Sequence, residues 1–259
     1  MDPDVPRPRI LDALHGVERL HGVRILLAIE SGSRAWGFPS ADRDLDVRFI
    51  YARPRDDYLR VTLPRDVVEL PLQPLPAPPL DMGGWDVRKA LGLVARSNAV
   101  ALEWLRSPIT YRRDDAAAAL LTDLAGRCAH LPALRYHYDR LARAALGAGT
   151  GPLRLKSLFY ALRPALALQW MRRHGTPPPM DLPALLPGTD PAAAAAITDA
   201  RDQKAAGTEA DAAPCPPVLE AFLHAALQDQ APRPAPWDQA PALAAADRVF
   251  RTLLDPPAP

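Results

Sequence analysis

The chain has 259 residues, with 31 basic and 30 acidic side chains and a formal net charge of +1. That length allows one large domain or two modest ones, each with its own core, and the near-neutral balance excludes a protein that coats nucleic acid through a broad basic surface. Two cysteines, Cys128 and Cys215, exclude a disulfide scaffold and offer no zinc-site spacing.

Near the start the longest purely apolar run is Ile25–Ile29, far short of a membrane span, and the opening Met-Asp-Pro-Asp-Val-Pro is acidic and broken by proline. A soluble, cytoplasmic protein with no membrane association is expected. Of the 31 basic residues only Lys89, Lys156 and Lys204 are lysines, which leaves 28 arginines. Beside abundant alanine and 31 prolines, that bias reads as GC-rich coding rather than function. It still means that phosphate binding falls mainly to guanidinium groups, which grip phosphate bidentately.

The first third mixes helices and strands. Ile10–His21 carries Leu11, Leu14, Val17 and Leu20 at helical spacing and stops at Gly22. Val23–Ile29 reads as a mostly buried strand, Leu45–Tyr51 as a second and Asp66–Leu72 as a third. After a proline-dense connection at Pro74–Leu80, Asp81–Trp85 reads as a short strand. Asp86–Leu105 takes a helical period with a break at Ser97-Asn98. Beyond Ser107-Pro108 strand signals vanish. Asp115–His130, Pro132–Leu146, Leu153–His174, Pro191–Ala206, Pro217–Gln228 and Pro241–Leu254 all read as helices. Most of these open on proline, which suits a first helical turn because its missing N–H has no partner there. The expected fold class is α+β: a mixed-sheet domain over 1–108, then an all-helical domain over 109–259 with a loosely held tail beyond about 230.

The informative stretch runs Ile29-Glu30-Ser31-Gly32-Ser33-Arg34-Ala35-Trp36-Gly37, then Asp42-Arg43-Asp44-Leu45-Asp46-Val47-Arg48-Phe49. A buried strand running into Gly-Ser opens a turn whose backbone amides, with the Ser33 hydroxyl, suit phosphate. Glycine matters there because a Cβ would hold the phosphate away. Strand period two puts Asp44 and Asp46 on one face, about 7 Å apart, with Leu45 and Val47 turned away. Such a pair can share divalent cations. Magnesium takes one or two carboxylates plus substrate phosphates, and paired metals clamp the attacking and leaving oxygens of an in-line displacement. A calcium loop over Asp42, Asp44 and Asp46 fails, since Val47 and Arg53 stand where it needs glycine and glutamate. A glycosyltransferase Asp-x-Asp is the weaker rival.

The pattern Gly32-Ser33-x10-Asp44-x-Asp46 resembles the signature of the DNA polymerase β-like nucleotidyltransferase superfamily. The longer strings Glu30–Phe38 and Asp46–Tyr51 are similar to a narrower family, the RNA-repair, RNA-ligase-associated nucleotidyltransferases (RlaP). So are Gly84–Leu91, Leu102–Ile109 and Leu155–Pro164, and the likeness spans roughly residues 10–180. The resemblance implies a polymerase-β-like domain followed by a helical domain, with the active cleft between them. It makes Gly32 and Ser33 the triphosphate turn, with Arg34 a candidate phosphate contact, and Asp44 and Asp46 the pair for Mg²⁺ or Mn²⁺. Superfamily members add a third acid, a general base for the incoming hydroxyl. Asp81 is favoured, with Glu69 and Asp86 as alternatives; Asp86 could instead open a helix.

The helical half adds an acid-free basic stretch between Gly151 and Met180. There Lys156, Tyr160 and Arg163 share one helix face and, in this family context, are expected to face the cleft and hold triphosphate or an RNA phosphate. Trp36 and Trp85 could stack on a base, though core packing beside glycine is the commoner use. The histidines form no ligand set with cysteine or acids. The implied reaction is metal-dependent transfer of a nucleoside monophosphate from an NTP to an acceptor. The resemblance suggests an RNA end as that acceptor and an RNA ligase as a pathway partner. A non-catalytic nucleotide- or RNA-binding module, or an antitoxin-like enzyme modifying a partner protein, is the alternative. The base, the acceptor and the oligomeric state are not legible.

Overall fold

The structure is a computed structural model that describes residues 7–41, 43–147, 153–208 and 212–255. Asp42, the glycine-rich stretch from 148 to 152 and the last residues of the tail lie outside the described residues. In chain order the first elements are α1 (Arg7–His21), β1 (Arg24–Glu30), the single turn α2 (Gly32–Ala35), β2 (Leu45–Ala52) and the short α3 (Arg55–Tyr58). Next come β3 (Val67–Glu69), β4 (Leu80–Asp86), α4 (Val87–Ala95), α5 (Ala99–Trp104), β5 (Thr110–Arg113), α6 (Asp115–Cys128) and α7 (Leu131–Leu146). The chain closes with β6 (Leu153–Arg154), α8 (Leu155–His174), α9 (Leu182–Leu185), α10 (Pro191–Ala206), β7 (Ala212–Ala213), α11 (Pro217–Ala226) and α12 (Ala240–Leu254).

These elements gather into two compact units. One comprises residues 1–31, 44–129 and 237–259, the other residues 32–43 and 130–236. The first is built on a five-stranded sheet in the order β3-β4-β2-β1-β5. Only β2 and β4 run parallel; the remaining pairs are antiparallel, so the sheet is mixed and the chain is α+β. Ile10, Leu14 and Val17 of α1 pack against Val47, Phe49, Leu80 and Met82 on one sheet face. From the other side α4 meets β2 and α6 meets β1, and α12 packs on both α4 and α6. The parallel β2–β4 pair sets Asp46 level with Asp81, Arg48 with Gly83, and Phe49 with Gly84.

The second unit is helical, and the two-residue strands β6 and β7 pair within it. Helix α8 is its axis: Leu158, Phe159, Leu162 and Leu166 are buried together with Leu182, Leu185, Ile197, Leu219 and Leu223 from the surrounding helices. Phe38, five residues after the Gly32-Ser33 pair, belongs to this core and stacks on Phe159 at 4.8 Å. The segment 32–43 is therefore anchored by its own aromatics to the helices.

Two features depart from the single cut near residue 108. Strand signals do not end there, because Thr110–Arg113 adds the edge strand β5, in which only Tyr111 is buried. The tail beyond 230 is not all loose, since α12 returns to the sheet-bearing unit and buries Ala246, Val249 and Leu253. The expected break at Ser97-Asn98 separates α4 from α5: Ser97 takes φ +55°, and the Asn98 side chain caps α5 by accepting the Ala101 N–H.

Candidate active site

In the sheet-bearing unit the acids collect at the N-terminal ends of β2 and β4. Asp44 is exposed just ahead of β2, and Asp46 is half-buried within it, while Leu45 and Val47 between and after them are fully buried. Asp81 stands beside Asp46 in the parallel register. Arg48 joins the two: its guanidinium lies 2.6 Å from Asp81 Oδ2 and 3.6 Å from Asp46 Oδ1. Two carboxylates about 5 Å apart on adjacent strands would otherwise repel by roughly 3 kcal/mol at an effective dielectric near 20, less after solvent screening. The arginine thus occupies the place of a cation shared between two oxygen-donor groups.

The Asp46 backbone is held as firmly as its side chain is charged. Glu30, fully buried at the end of β1, accepts the Asp46 N–H at 3.1 Å through Oε1 and the Tyr111 hydroxyl at 2.5 Å through Oε2. The Ser31 N–H donates to the Asp46 carbonyl at 2.7 Å. Ser107 adds a bond from its hydroxyl to the Glu30 carbonyl at 2.6 Å. The residue that precedes Gly32 is therefore fixed against the acid strand.

The other two acids sit differently. Glu69 shares the face of Asp81 through its pairing with Gly83, but it lies on the edge strand β3 and is ion-paired with Arg65 at 3.5 Å. Asp86 is buried and caps α4, accepting the Arg88 N–H at 2.9 Å and the Tyr58 hydroxyl at 3.0 Å. Burial pushes its carboxyl pKa up, against the pull of the Arg88 N–H and the Tyr58 hydroxyl, and pushes the Tyr58 phenol up as well. Register brings Asp81 beside Asp46 and gives Asp86 a helix to cap instead.

The helical unit holds the remaining expected residues. Gly32 takes φ +67°, a left-handed conformation that glycine adopts without strain. The turn closes with the Trp36 N–H donating to the Gly32 carbonyl at 2.9 Å and the Phe38 N–H to the Ser33 carbonyl at 3.0 Å. Arg34 is only 7% exposed. Tyr160 is half open to solvent, meets Trp36 edge-on at 5.4 Å and carries the Lys156 ammonium 5.9 Å over its ring. Arg163, expected on the same open face, is buried. Its guanidinium lies 4.8 Å over Trp36, and its Nε–H donates to the Met180 carbonyl at 2.9 Å. The shared helical face is real, but Trp36 and Met180 cover its C-terminal end.

Among the described residues no group of three or more His, Cys, Asp or Glu side chains forms a ready metal cage. The donor chemistry nevertheless fits magnesium, which combines few carboxylates with substrate phosphates. Arg48 and Glu30 went unassigned in the sequence, although each carried a signal: Arg48 is in phase with Asp46, and Glu30 is a carboxylate ending the apolar run Ile25–Ile29.

The family model for the RNA repair pathway DNA polymerase beta family matches residues 7–252. The chain belongs to this family, RlaP. It is also 38% identical over 226 residues to the uncharacterized protein YcgL of Bacillus subtilis (strain 168), covering 86% of this chain and 85% of that relative. The description of that family, a DNA polymerase beta family of an RNA repair pathway, points to a nucleotidyltransferase. Among the described residues no helix is long and apolar enough to cross a membrane.

Proposed function

We propose that the chain is a magnesium-dependent nucleotidyltransferase that moves a nucleoside monophosphate from an NTP onto an acceptor hydroxyl, with an RNA end as the acceptor. Asp44 and Asp46 would hold the metal, which supplies charge stabilisation at the reacting phosphate. Gly32, Ser33 and Arg34 bind the triphosphate, helped by Lys156 and Tyr160. Arg163 acts through Trp36, which it supports from beneath. Asp81 accepts the proton of the attacking hydroxyl; the new O–P bond forms at the α-phosphate, the bond to the β-phosphate oxygen breaks, and pyrophosphate leaves.

The observation that carries this reading is the alignment of Asp46 with Asp81 around the Arg48 guanidinium. Positioning and electrostatics supply most of the rate in phosphoryl transfer, and Asp81, one strand away from the proposed metal-binding pair, would take the hydroxyl's proton. The RNA-repair context of the family supports an RNA acceptor, with an RNA ligase as pathway partner. The test incubates purified protein with Mg²⁺ or Mn²⁺ and each α-labelled NTP, with and without RNA. Label transfer or pyrophosphate release lost in Asp44→Ala plus Asp46→Ala is expected. Nucleotide binding without turnover for all four NTPs and varied acceptors would overturn the reading in favour of a binding module.

A further inference from the structure

Beside Asp81 the carboxylate face of the sheet opens into a cavity of about 460 Å³, within the range that holds small organic ligands. Its floor is Gly83. Strand alternation places Asp81, Gly83 and Trp85 on one face, so the middle position of three contributes no side chain. A Cβ at Gly83 would meet nothing closer than the Val68 carbonyl oxygen at 3.7 Å, so the space above it is open. Arg48 on β2 and Glu69 on β3 are the register partners of Gly83 and form the side walls. Trp85 closes the far end, its indole stacked on that of Trp104 at 3.7 Å and 16°.

Resting on the nucleotidyltransferase reading, we propose that this recess seats the acceptor and that the acceptor is a nucleoside, its hydroxyl at Asp81 and its base against Trp85. Four residues of strand, about 13 Å, give room for a ribose and a base end to end. An indole backed by a second indole is a rigid stacking platform, and base–aromatic stacking tolerates any base. Glu69 presents acceptor oxygens to ribose hydroxyls or exocyclic amines, which a phosphate-binding pocket would not offer.

The test uses the full chain and two forms of the same chemistry: free nucleosides, and a 5′-labelled single-stranded RNA oligomer with a free 3′ hydroxyl. Binding of each is measured without NTP, by fluorescence anisotropy and its competition, and NTP binding is measured separately by equilibrium dialysis. In Gly83→Val and Trp85→Ala the acceptor affinity is expected to fall about tenfold or more, while NTP affinity stays within about twofold of wild type. A fall for RNA alone assigns the recess to an RNA terminus; a fall for both assigns it to any nucleoside. Unchanged acceptor affinity in Gly83→Val, or a wild-type protein that transfers label yet binds neither probe, overturns the recess and leaves the nucleotidyltransferase reading standing. Acceptor binding that Gly83→Val abolishes, with no transfer from any NTP, overturns the wider reading and leaves the recess.

Discussion

Gly84 offers the sharpest mutational test of how the acids come to be aligned. It pairs with Phe49 across the parallel β2–β4 ladder, and a Cβ built on it would stand 2.1 Å from Phe49 Cε2, 2.2 Å from Cδ2 and 2.6 Å from Cζ. Carbon atoms rest about 3.5–4.0 Å apart, so Gly84→Ala demands a displacement of about 1.5 Å. The ring cannot yield: Phe49 is fully buried, packed among Leu45, Val47, Tyr51 and Leu80. Overpacking of this kind costs about 1–3 kcal/mol, and a clash with a fixed ring belongs at the upper end. For a chain of this size each kcal/mol moves the melting midpoint by about 2–4 °C, which gives a fall of about 6–12 °C.

The control lies one residue away. Gly83→Ala meets only the Val68 carbonyl oxygen at 3.7 Å and is expected to melt within about 2 °C of wild type. Far-UV circular dichroism melts of the two variants suffice. A Gly84→Ala protein as stable as wild type would refute the packing of β4 on Phe49. With it would go the argument that the glycine fixes the register setting Asp81 beside Asp46, since a slip of one residue would turn every side chain of β4 to the other face.

Two further outcomes follow from buried and basic groups. Burial raises the Asp86 carboxyl pKa above its usual value of 3.8, so the folded state holds that proton more tightly than the unfolded chain. Stability from this group is full below the unfolded value and is lost as pH rises through the folded one. Asp86→Asn keeps an acceptor for the Arg88 N–H and should flatten that decline in urea unfolding as pH rises above the usual carboxylate value; an identical slope in both proteins would contradict it. Lys156→Glu, on the half-open face with Tyr160, should weaken NTP binding about tenfold by calorimetry with little change in melting, whereas unaltered affinity would remove Lys156 from the phosphate site.

Much of this fold was legible because its apolar runs are long and unambiguous. Arg24–Glu30 is buried at every position but the first, and Leu45–Ala52 alternates cleanly before it passes under helices. Thr110–Arg113 escaped because an edge strand with one buried residue shows no period. Helix α12 was visible as a helix, but an amphipathic stripe says nothing about which core receives it. Arg163 shows the same limit from the other side: periodicity put it in line with Lys156 and Tyr160, and only the path of Trp36 and Met180 decides that it is covered. The third acid was open for a related reason. Asp81, Glu69 and Asp86 all stand near strand-like sequence, and only strand pairing, a long-range property, shows which of them neighbours Asp46.

That pairing also explains how a sheet can keep two carboxylates side by side without a buried ion between them. Asp46 is secured through its backbone, whose N–H goes to Glu30 and whose carbonyl receives Ser31, so its position does not depend on what its side chain binds. A hydrogen bond to a carboxylate is worth more than a neutral one, about 1.5–3 kcal/mol. Fixing the main chain in this way leaves the Asp46 carboxylate to be balanced by a neighbouring side chain. Arg48 is that neighbour: its guanidinium is partly buried, donates to the Val47 and Asp81 carbonyls and reaches both Asp46 and Asp81 from the strand that carries Asp46. On the proposed reading a cation held by the acids would displace or share that guanidinium, which already walls the recess floored by Gly83, its register partner. Charge compensation and acceptor binding are on this account coupled through one side chain, so the nucleotide and the acceptor should bind interdependently rather than as two independent ligands.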